Sequence, residues 1–135
     1  MDHEEAVRRF THSPVAVLAT SGLDRPHLVP VVFVVDGDVI YTAVDHKPKR
    51  TRNLQRLRNI ERNPMVSLLA DRYEEDWHRL WWVRADGEAA VVGVTEAGSA
   101  IELLQHKYPQ YRDRPPDGPV IVVSVTRWTG WSAAG

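Results

Sequence analysis

The dipeptide Asp36-Gly37 stands between two runs rich in β-branched residues, HLVPVVFVV (27–35) and DVIYTAV (38–44). Asp-Gly in this setting is typical of a tight hairpin, because glycine adopts the backbone conformation that such turns require. The two runs are therefore predicted to pair as antiparallel strands. This pairing argues against a parallel α/β fold, since parallel strands need a long crossover connection.

Four further runs have the composition of strands. The run VAVLAT (15–20) is continuously apolar and bounded by turn residues, which suits a strand that is buried on both faces. The run RLWWVRADGEAAVV (79–92) is long, and a bend is expected near Asp86-Gly87. These predicted strands are VAVLAT (15–20), MVSLLA (65–70), RLWWVRADGEAAVV (79–92) and VIVVSVTRW (120–128).

Apolar residues at helical spacing predict three helices, over 3–10, over 51–63 and within EAGSAIELLQHKY (96–108). Six strands that follow one another as hairpins favour an antiparallel barrel or a strongly curled sheet with helices packed outside. The predicted fold class is thus mainly β with flanking helices. At 135 residues the chain is expected to form a single domain, 1–135.

Composition narrows the classes of function. There is no cysteine, so disulfides and thiolate chemistry are excluded, and the six histidines show no spacing typical of metal ligands. The N-terminus MDHEEAVRRF has no apolar core of a signal peptide, and no apolar run is long enough to cross a membrane. A cytoplasmic protein without a metal is expected. No Walker, G-x-G-x-x-G or G-x-S-x-G motif is present.

The segment from Lys47 to Arg62 contains seven basic residues and one acid. Such a run is often a solvated helix face. Nucleic-acid binding is a weaker alternative, because the whole chain has a net charge of -1. The third alternative is an anion site, since Lys49, Arg50 and Thr51 fall where a strand gives way to a helix N-terminus. Free backbone N–H groups and charged side chains favour a phosphate there.

Five tryptophans form a second unusual feature. Trp81 and Trp82 lie side by side in a predicted strand and must point to opposite faces. One of them is expected in the core. The other suits either a subunit interface, where tryptophan is enriched, or contact with a planar ligand ring.

The order of VAVLAT, G-x-D-R-P-H, VPVVFVVDGDVIYTAV, KPKRTRNL and NPMVSLL resembles the pyridoxamine 5′-phosphate oxidase-like split-barrel family. The stretch ADRYEEDWHRLWWVRADGEA is further similar to one branch, the PPOX-class F420-dependent oxidoreductases. The resemblance covers the chain from about residue 14 to the last strand. It implies a six-stranded antiparallel split β-barrel of the FMN-binding type, assembled as a homodimer with two cofactor sites at the interface.

The resemblance also implies the residues of the cofactor site. Lys49 and Arg50 would hold the phosphate, with Thr51 and Asn53 following. The cofactor ring would lie along the second and third strands, and a tryptophan of the partner subunit would close the site, either Trp77 or Trp82. The ring positions are Pro30, Val31, Val32, Tyr41, Thr42 and Ala43.

The implied function is an oxidoreductase that transfers a hydride to a small conjugated acceptor. Coenzyme F420 is favoured over FMN because Arg52, Arg56 and Arg58 could attract its acidic tail. The C-terminus TRWTGWSAAG lacks the Arg- and His-containing motif of true pyridoxamine-phosphate oxidases, which argues against vitamin B6 oxidation. An FMN enzyme and a non-catalytic flavin or deazaflavin carrier remain alternatives. No catalytic side chain is assigned; His78, Tyr41 or solvent could supply a proton.

Overall fold

The computed structural model describes residues 1–44 and 54–134. Within these ranges the chain forms seven strands, four α-helices and a short 3₁₀ helix, Trp77–Arg79. The strands are β1 (Ala16–Ser21), β2 (Pro26–Val31), β3 (Val34–Asp36), β4 (Val39–Ala43), β5 (Met65–Arg72), β6 (Trp81–Val92) and β7 (Val120–Ser132). The helices are α1 (His3–His12), α2 (Leu54–Arg62), α3 (Gly98–Lys107) and α4 (Pro109–Asp113).

The strands form one antiparallel sheet in the order β2-β1-β5-β6-β7-β4-β3. Its two edge strands, β2 and β3, are consecutive in the chain and are separated only by Val32 and Phe33. Because this short link ties the two edges together, the sheet must curl, while no β2–β3 hydrogen-bond ladder closes it. The prediction of a mainly β, split-barrel fold with flanking helices is confirmed.

The hairpin at Asp36-Gly37 is also confirmed. Asp36 pairs with Val39, and Gly37 has a φ of 63°, a region that L-residues rarely adopt. The long strand β6 bends where expected, since its register with β7 shifts between Asp86 and Gly87. A Cβ at Gly87 would lie 2.3 Å from the Ser124 carbonyl oxygen, so only glycine fits this close approach.

The structure has seven strands rather than the expected six because the run 27–35 divides into β2 and β3. At the break between β2 and β3, side chains form the hydrogen bonds that a neighbouring strand would otherwise form. The Thr42 hydroxyl donates to the Val32 carbonyl at 2.7 Å, and the Phe33 N–H donates to the Tyr108 hydroxyl oxygen at 3.1 Å. The backbone therefore leaves the sheet without leaving these buried groups unsatisfied.

The helices pack against the core side of the curled sheet, α1 on β6 and β7, α2 on β1 and β6, and α3 on β3. Helix α1 starts at Asp2, whose side chain accepts the Glu5 N–H at 2.8 Å, and it buries Phe10 against Phe33 at 4.9 Å between ring centres. Helix α4 lies beyond the three predicted helices, and it begins with Pro109, a residue favoured at the first helical position. No helix in the described ranges is long and apolar enough to cross a membrane.

Strand β1 was expected to be buried on both faces, and within the protomer this prediction is wrong. Ala16, Leu18 and Thr20 are buried in the core, whereas Val17 and Ala19 are only half-buried on the opposite, outer face. Among the described residues, helices cover only the core face of this part of the sheet. The apolar composition of the second face is thus not explained by packing inside one chain.

Lys107 connects α3 to the end of α1 and to the β2–β3 link. Its ammonium donates to the carbonyls of Thr11 and Ser13 at 3.1 and 2.8 Å, and it lies 3.8 Å from the centre of the Phe33 ring. Burial removes water from this ammonium and lowers the pKa of Lys107 from 10.5 to about 8.

The lowered pKa of Lys107 predicts a specific pH dependence. Between pH 8 and 10.5 the unfolded chain binds more protons at Lys107 than the folded protein does. The free energy of unfolding of the wild type should therefore rise with pH across this window, relative to that of Lys107→Met. Chemical denaturation of both proteins on each side of the window measures the difference, and a difference independent of pH would contradict the prediction.

Candidate functional site

A cleft of about 190 Å³ opens between the C-terminal end of β2 and strand β4. Its walls are Pro30, Val31 and Val32 on one side and Thr42 and Ala43 on the other, with Val15 and Arg56 completing the lining. We call it the β2–β4 cleft. It exists because β2 and β3 separate at Val32, which leaves the edge of β2 uncovered beside β4.

The β2–β4 cleft has a rigid wall. The Thr42 hydroxyl is bonded to the Val32 carbonyl at 2.7 Å, and Thr42, Val31 and Ala43 are 2%, 7% and 5% exposed. Arg56 of α2 is the charged residue of the lining. Such a wall can hold a flat apolar group and place an anionic substituent near the guanidinium. The volume is small for a complete ligand and suits one part of a larger molecule.

Five of the residues assigned to the cofactor ring therefore lie together. Tyr41 is placed elsewhere, since it packs against the smaller core cluster around Leu104 and Val120. Lys49, Arg50, Thr51 and Asn53, assigned to the phosphate, lie outside the described residues, as does Arg52. The interpretation of these residues as a phosphate site stays a prediction.

The cleft also contains residues that the sequence did not assign to the ring. Val15 is 48% exposed at the cleft although it starts an apolar run, and its position just before β1 gives no local sign of such a role. Arg56 belongs to the basic run, but its place beside the ring positions depends on how α2 packs on the barrel.

The two candidate tryptophans occupy different environments. Trp77 lies in the 3₁₀ helix and is 75% exposed. Trp82 is half-buried on the outer face of the sheet, while its neighbour Trp81 packs against the main core. The expectation that Trp81 and Trp82 point to opposite faces is confirmed.

Trp82 belongs to a broad apolar surface, here called the outer face, which spans β2, β1, β5 and β6. It encloses a depression of about 580 Å³, and Leu28 and Tyr73 in it are each 63% exposed. Its polar edge is ordered, because Asp86 accepts the Ser67 hydroxyl at 2.6 Å and the Arg84 Nε at 3.0 Å. The depression is lined by Val17, Ala19, Leu28, Ser67, Leu69, Asp71, Tyr73, Trp82 and Arg84.

The residues considered as proton donors lie apart from the β2–β4 cleft lining. The His78 side chain is 96% exposed and lies 3.4 Å from Asp76, and Tyr41 packs in the smaller core cluster. Across residues 1–44 and 54–134, no group of three or more His, Asp or Glu side chains could hold a metal ion.

Comparison with known proteins places these features in context. The model of the pyridoxamine 5′-phosphate oxidase family matches residues 3–132. A conserved hypothetical protein from Mycobacterium tuberculosis has the same fold, with 22% identity, a TM-score of 0.78, and coverage of 98% of this chain and 86% of that chain. No curated protein matches the sequence.

Two further solved structures with this fold are named as FAD-binding proteins. The protein from Mesorhizobium loti is 15% identical, with a TM-score of 0.71 and coverage of 96% of this chain and 94% of that chain. The protein from Mycobacterium smegmatis is 17% identical, with a TM-score of 0.65 and coverage of 97% and 94%. At these identities the likeness describes the fold.

Proposed function

Given that the chain belongs to the pyridoxamine 5′-phosphate oxidase family, whose model matches residues 3–132, we propose that it is a cytoplasmic oxidoreductase with a flavin-type cofactor. The observation that carries the proposal is the β2–β4 cleft. It brings together five of the residues that the resemblance implies for the cofactor ring: Pro30, Val31, Val32, Thr42 and Ala43. The apolar wall fits a planar ring system, and Arg56 fits an anionic group attached to it.

When bound, the cofactor supplies hydride chemistry, and the protein supplies binding, orientation and exclusion of water. Val31, Val32, Thr42 and Ala43 form the surface against which a ring can lie flat. The Thr42–Val32 hydrogen bond fixes the spacing of that surface. Within the described part of the lining, Arg56 is the one titratable side chain, so solvent is the simplest source of a proton for the acceptor.

Coenzyme F420 is the proposed cofactor, because the sequence resembles the F420-dependent branch and α2 carries arginines beyond the phosphate positions. Arg58 is exposed on α2, where an acidic tail could reach it. FMN is the alternative, and the FAD-binding names of two structural neighbours support a flavin in general. A carrier that binds the cofactor without turnover would need the same cleft.

A homodimer is the proposed assembly, with the outer face as its contact surface. Leu28, Leu69 and Tyr73 are 63%, 39% and 63% exposed there, and large exposed apolar patches often mark protein interfaces. The apolar character of β1 on both faces supports this assignment, because a second copy would bury Val17 and Ala19. In this proposed arrangement Trp82 lies in the interface and contributes to a site shared with the partner subunit.

The proposal is tested by titrating the protein with coenzyme F420 and, separately, with FMN, while following tryptophan fluorescence. Tight binding of F420 with weak binding of FMN would support the deazaflavin assignment, and the reverse would assign FMN. Binding of neither would overturn the proposed function. Turnover of quinones, enones or tetrapyrroles with the reduced cofactor would then distinguish the enzyme from a carrier.

Arg50→Ala should weaken binding of the preferred cofactor by about 1.5–3 kcal/mol, because a charged hydrogen bond to its phosphate is lost. The matched control is Arg79→Ala, since Arg79 pairs with Glu74 at 3.3 Å on a segment that does not line the cleft. Unchanged affinity in the Arg50 variant would remove this residue from the phosphate site while leaving the ring assignment to be judged by the titration.

A further inference from the structure

A further cleft, which is polar and has a volume of about 510 Å³, lies between the β1–β2 turn and helix α2. Three arginines line it, Arg25 from the turn and Arg58 and Arg62 from the helix, together with His27 from the start of β2. We call it the arginine cleft. None of its lining residues is shared with the β2–β4 cleft, although α2 forms a wall of both.

Two of these arginines are oriented by neutral amide groups. Arg62 donates to the Asn59 side-chain oxygen at 2.8 Å, and Arg58 donates to the Gln55 oxygen at 3.3 Å. Asn59 itself is fully buried and donates to the Thr20 hydroxyl at 3.0 Å. The buried Asn59 thus orients Arg62 at the cleft, whereas Arg58 is exposed, and in both cases an amide partner leaves the guanidinium charge uncompensated.

Among the described residues, no carboxylate neutralises the three arginines of the cleft. Asp24 also lines the cleft, but no ion pair within 4 Å joins it or another described acid to Arg25, Arg58 or Arg62. Three arginines and one aspartate leave a net charge of +2 in the lining. In addition, the buried Nδ1 of His27 has no hydrogen-bond partner among the described residues.

Another arginine-rich cleft of the same molecule has the opposite character. It contains Arg8, Arg9, Arg72 and Arg79, and each of these side chains is within 3.7 Å of a glutamate oxygen. Glu5 serves the first two and Glu74 the last two. The arginine cleft therefore differs from an ordinary surface cluster, in which acids and bases pair within the protein.

We propose that the arginine cleft binds a small anion that carries two or more carboxylate or phosphate groups. Guanidinium groups bind these oxygens through paired, charge-assisted hydrogen bonds, and three of them converging on one cleft select a ligand with several negative groups. His27 adds one more polar side chain to the lining. This proposal shares Arg58 with the proposed site for the F420 tail, but it requires neither a ring in the β2–β4 cleft nor turnover.

The test is calorimetric titration of the whole protein with citrate and with tripolyphosphate at low ionic strength. Arg25→Gln is the principal variant, because no hydrogen bond or ion pair of its side chain supports the described fold. Loss of one charged contact should weaken the better ligand about tenfold or more. Arg72→Gln is the matched control, since Arg72 pairs with Glu74 at 3.0 Å outside the cleft, and its affinity should match that of the wild type.

Arg62→Gln provides a second variant, checked for folding by its thermal unfolding midpoint, and it should weaken binding to a similar extent. Stronger binding of citrate would assign carboxylates as the natural groups, and stronger binding of tripolyphosphate would assign phosphates. The proposal is overturned if neither probe binds, or if the Arg25 variant and the Arg72 control lose affinity equally, since that result reflects net charge alone.

Discussion

Phe33→Ala is expected to lower the free energy of unfolding by about 3–5 kcal/mol, the usual cost of removing a buried phenyl ring. Phe33 is fully buried, its ring centre is 4.9 Å from that of Phe10, and the ammonium of Lys107 lies 3.8 Å from its centre. The substitution therefore removes core contacts of α1 and takes away the nearer of the two aromatic rings beside the half-buried ammonium.

The same substitution should disturb the β2–β4 cleft, because Phe33 directly follows Val32 of the cleft wall. Urea denaturation measures the stability, and cofactor titration measures the effect on the site. Phe33→Leu is the control, since it keeps most of the apolar volume and should cost much less. If the alanine variant loses less than about 1 kcal/mol of unfolding free energy, the surrounding side chains fill the space and Phe33 does not stabilise the β2–β3 link.

Leu28→Arg is expected to convert a dimer into monomers. Leu28 is 63% exposed in the protomer, so a charged side chain there should not prevent folding. In a homodimer that covers the outer face, the same charge would be desolvated in a largely apolar interface, which should weaken association by about 3 kcal/mol. The dissociation constant would then rise by more than about a hundredfold.

Sedimentation velocity of the wild type and the variant measures this change. Leu23→Arg is the matched control, because Leu23 is 78% exposed in the β1–β2 turn and lies outside the outer face. If the cofactor sites are shared between subunits, Leu28→Arg should also weaken cofactor binding while Leu23→Arg should not. A wild type that is monomeric throughout would contradict the proposed assembly.

Local sequence signals were sufficient for much of the fold. The turn at Asp36-Gly37, the bend at Asp86-Gly87 and the helix around Phe10 were each predicted from residues within one or two turns of the feature. The conformation of a glycine in a tight turn and the repeat of apolar residues in an amphipathic helix both depend on residues that lie close together in the chain. Such features can therefore be recognised before the tertiary structure is known.

The part of the candidate site that lies on and beside the strands was predictable. Pro30, Val31, Val32, Thr42 and Ala43 were assigned from the resemblance, and they meet in one cleft. The roles of Val15 and Arg56 were not predictable in this way. Their places depend on how the start of β1 and the face of α2 pack on the barrel, and neither packing leaves a local pattern.

The sequence by itself determined an antiparallel, hairpin-rich, cysteine-free sheet with flanking helices, because pairing and turn chemistry are encoded by neighbouring residues. The tertiary structure alone decided where the second predicted strand breaks, since the Phe33 amide is satisfied by Tyr108, 75 residues away. It also decided that one face of β1 stays uncovered and that Arg25 meets Arg58 and Arg62 in one cleft. These outcomes depend on contacts between distant segments, and burial and charge are properties of those contacts rather than of any single stretch of sequence.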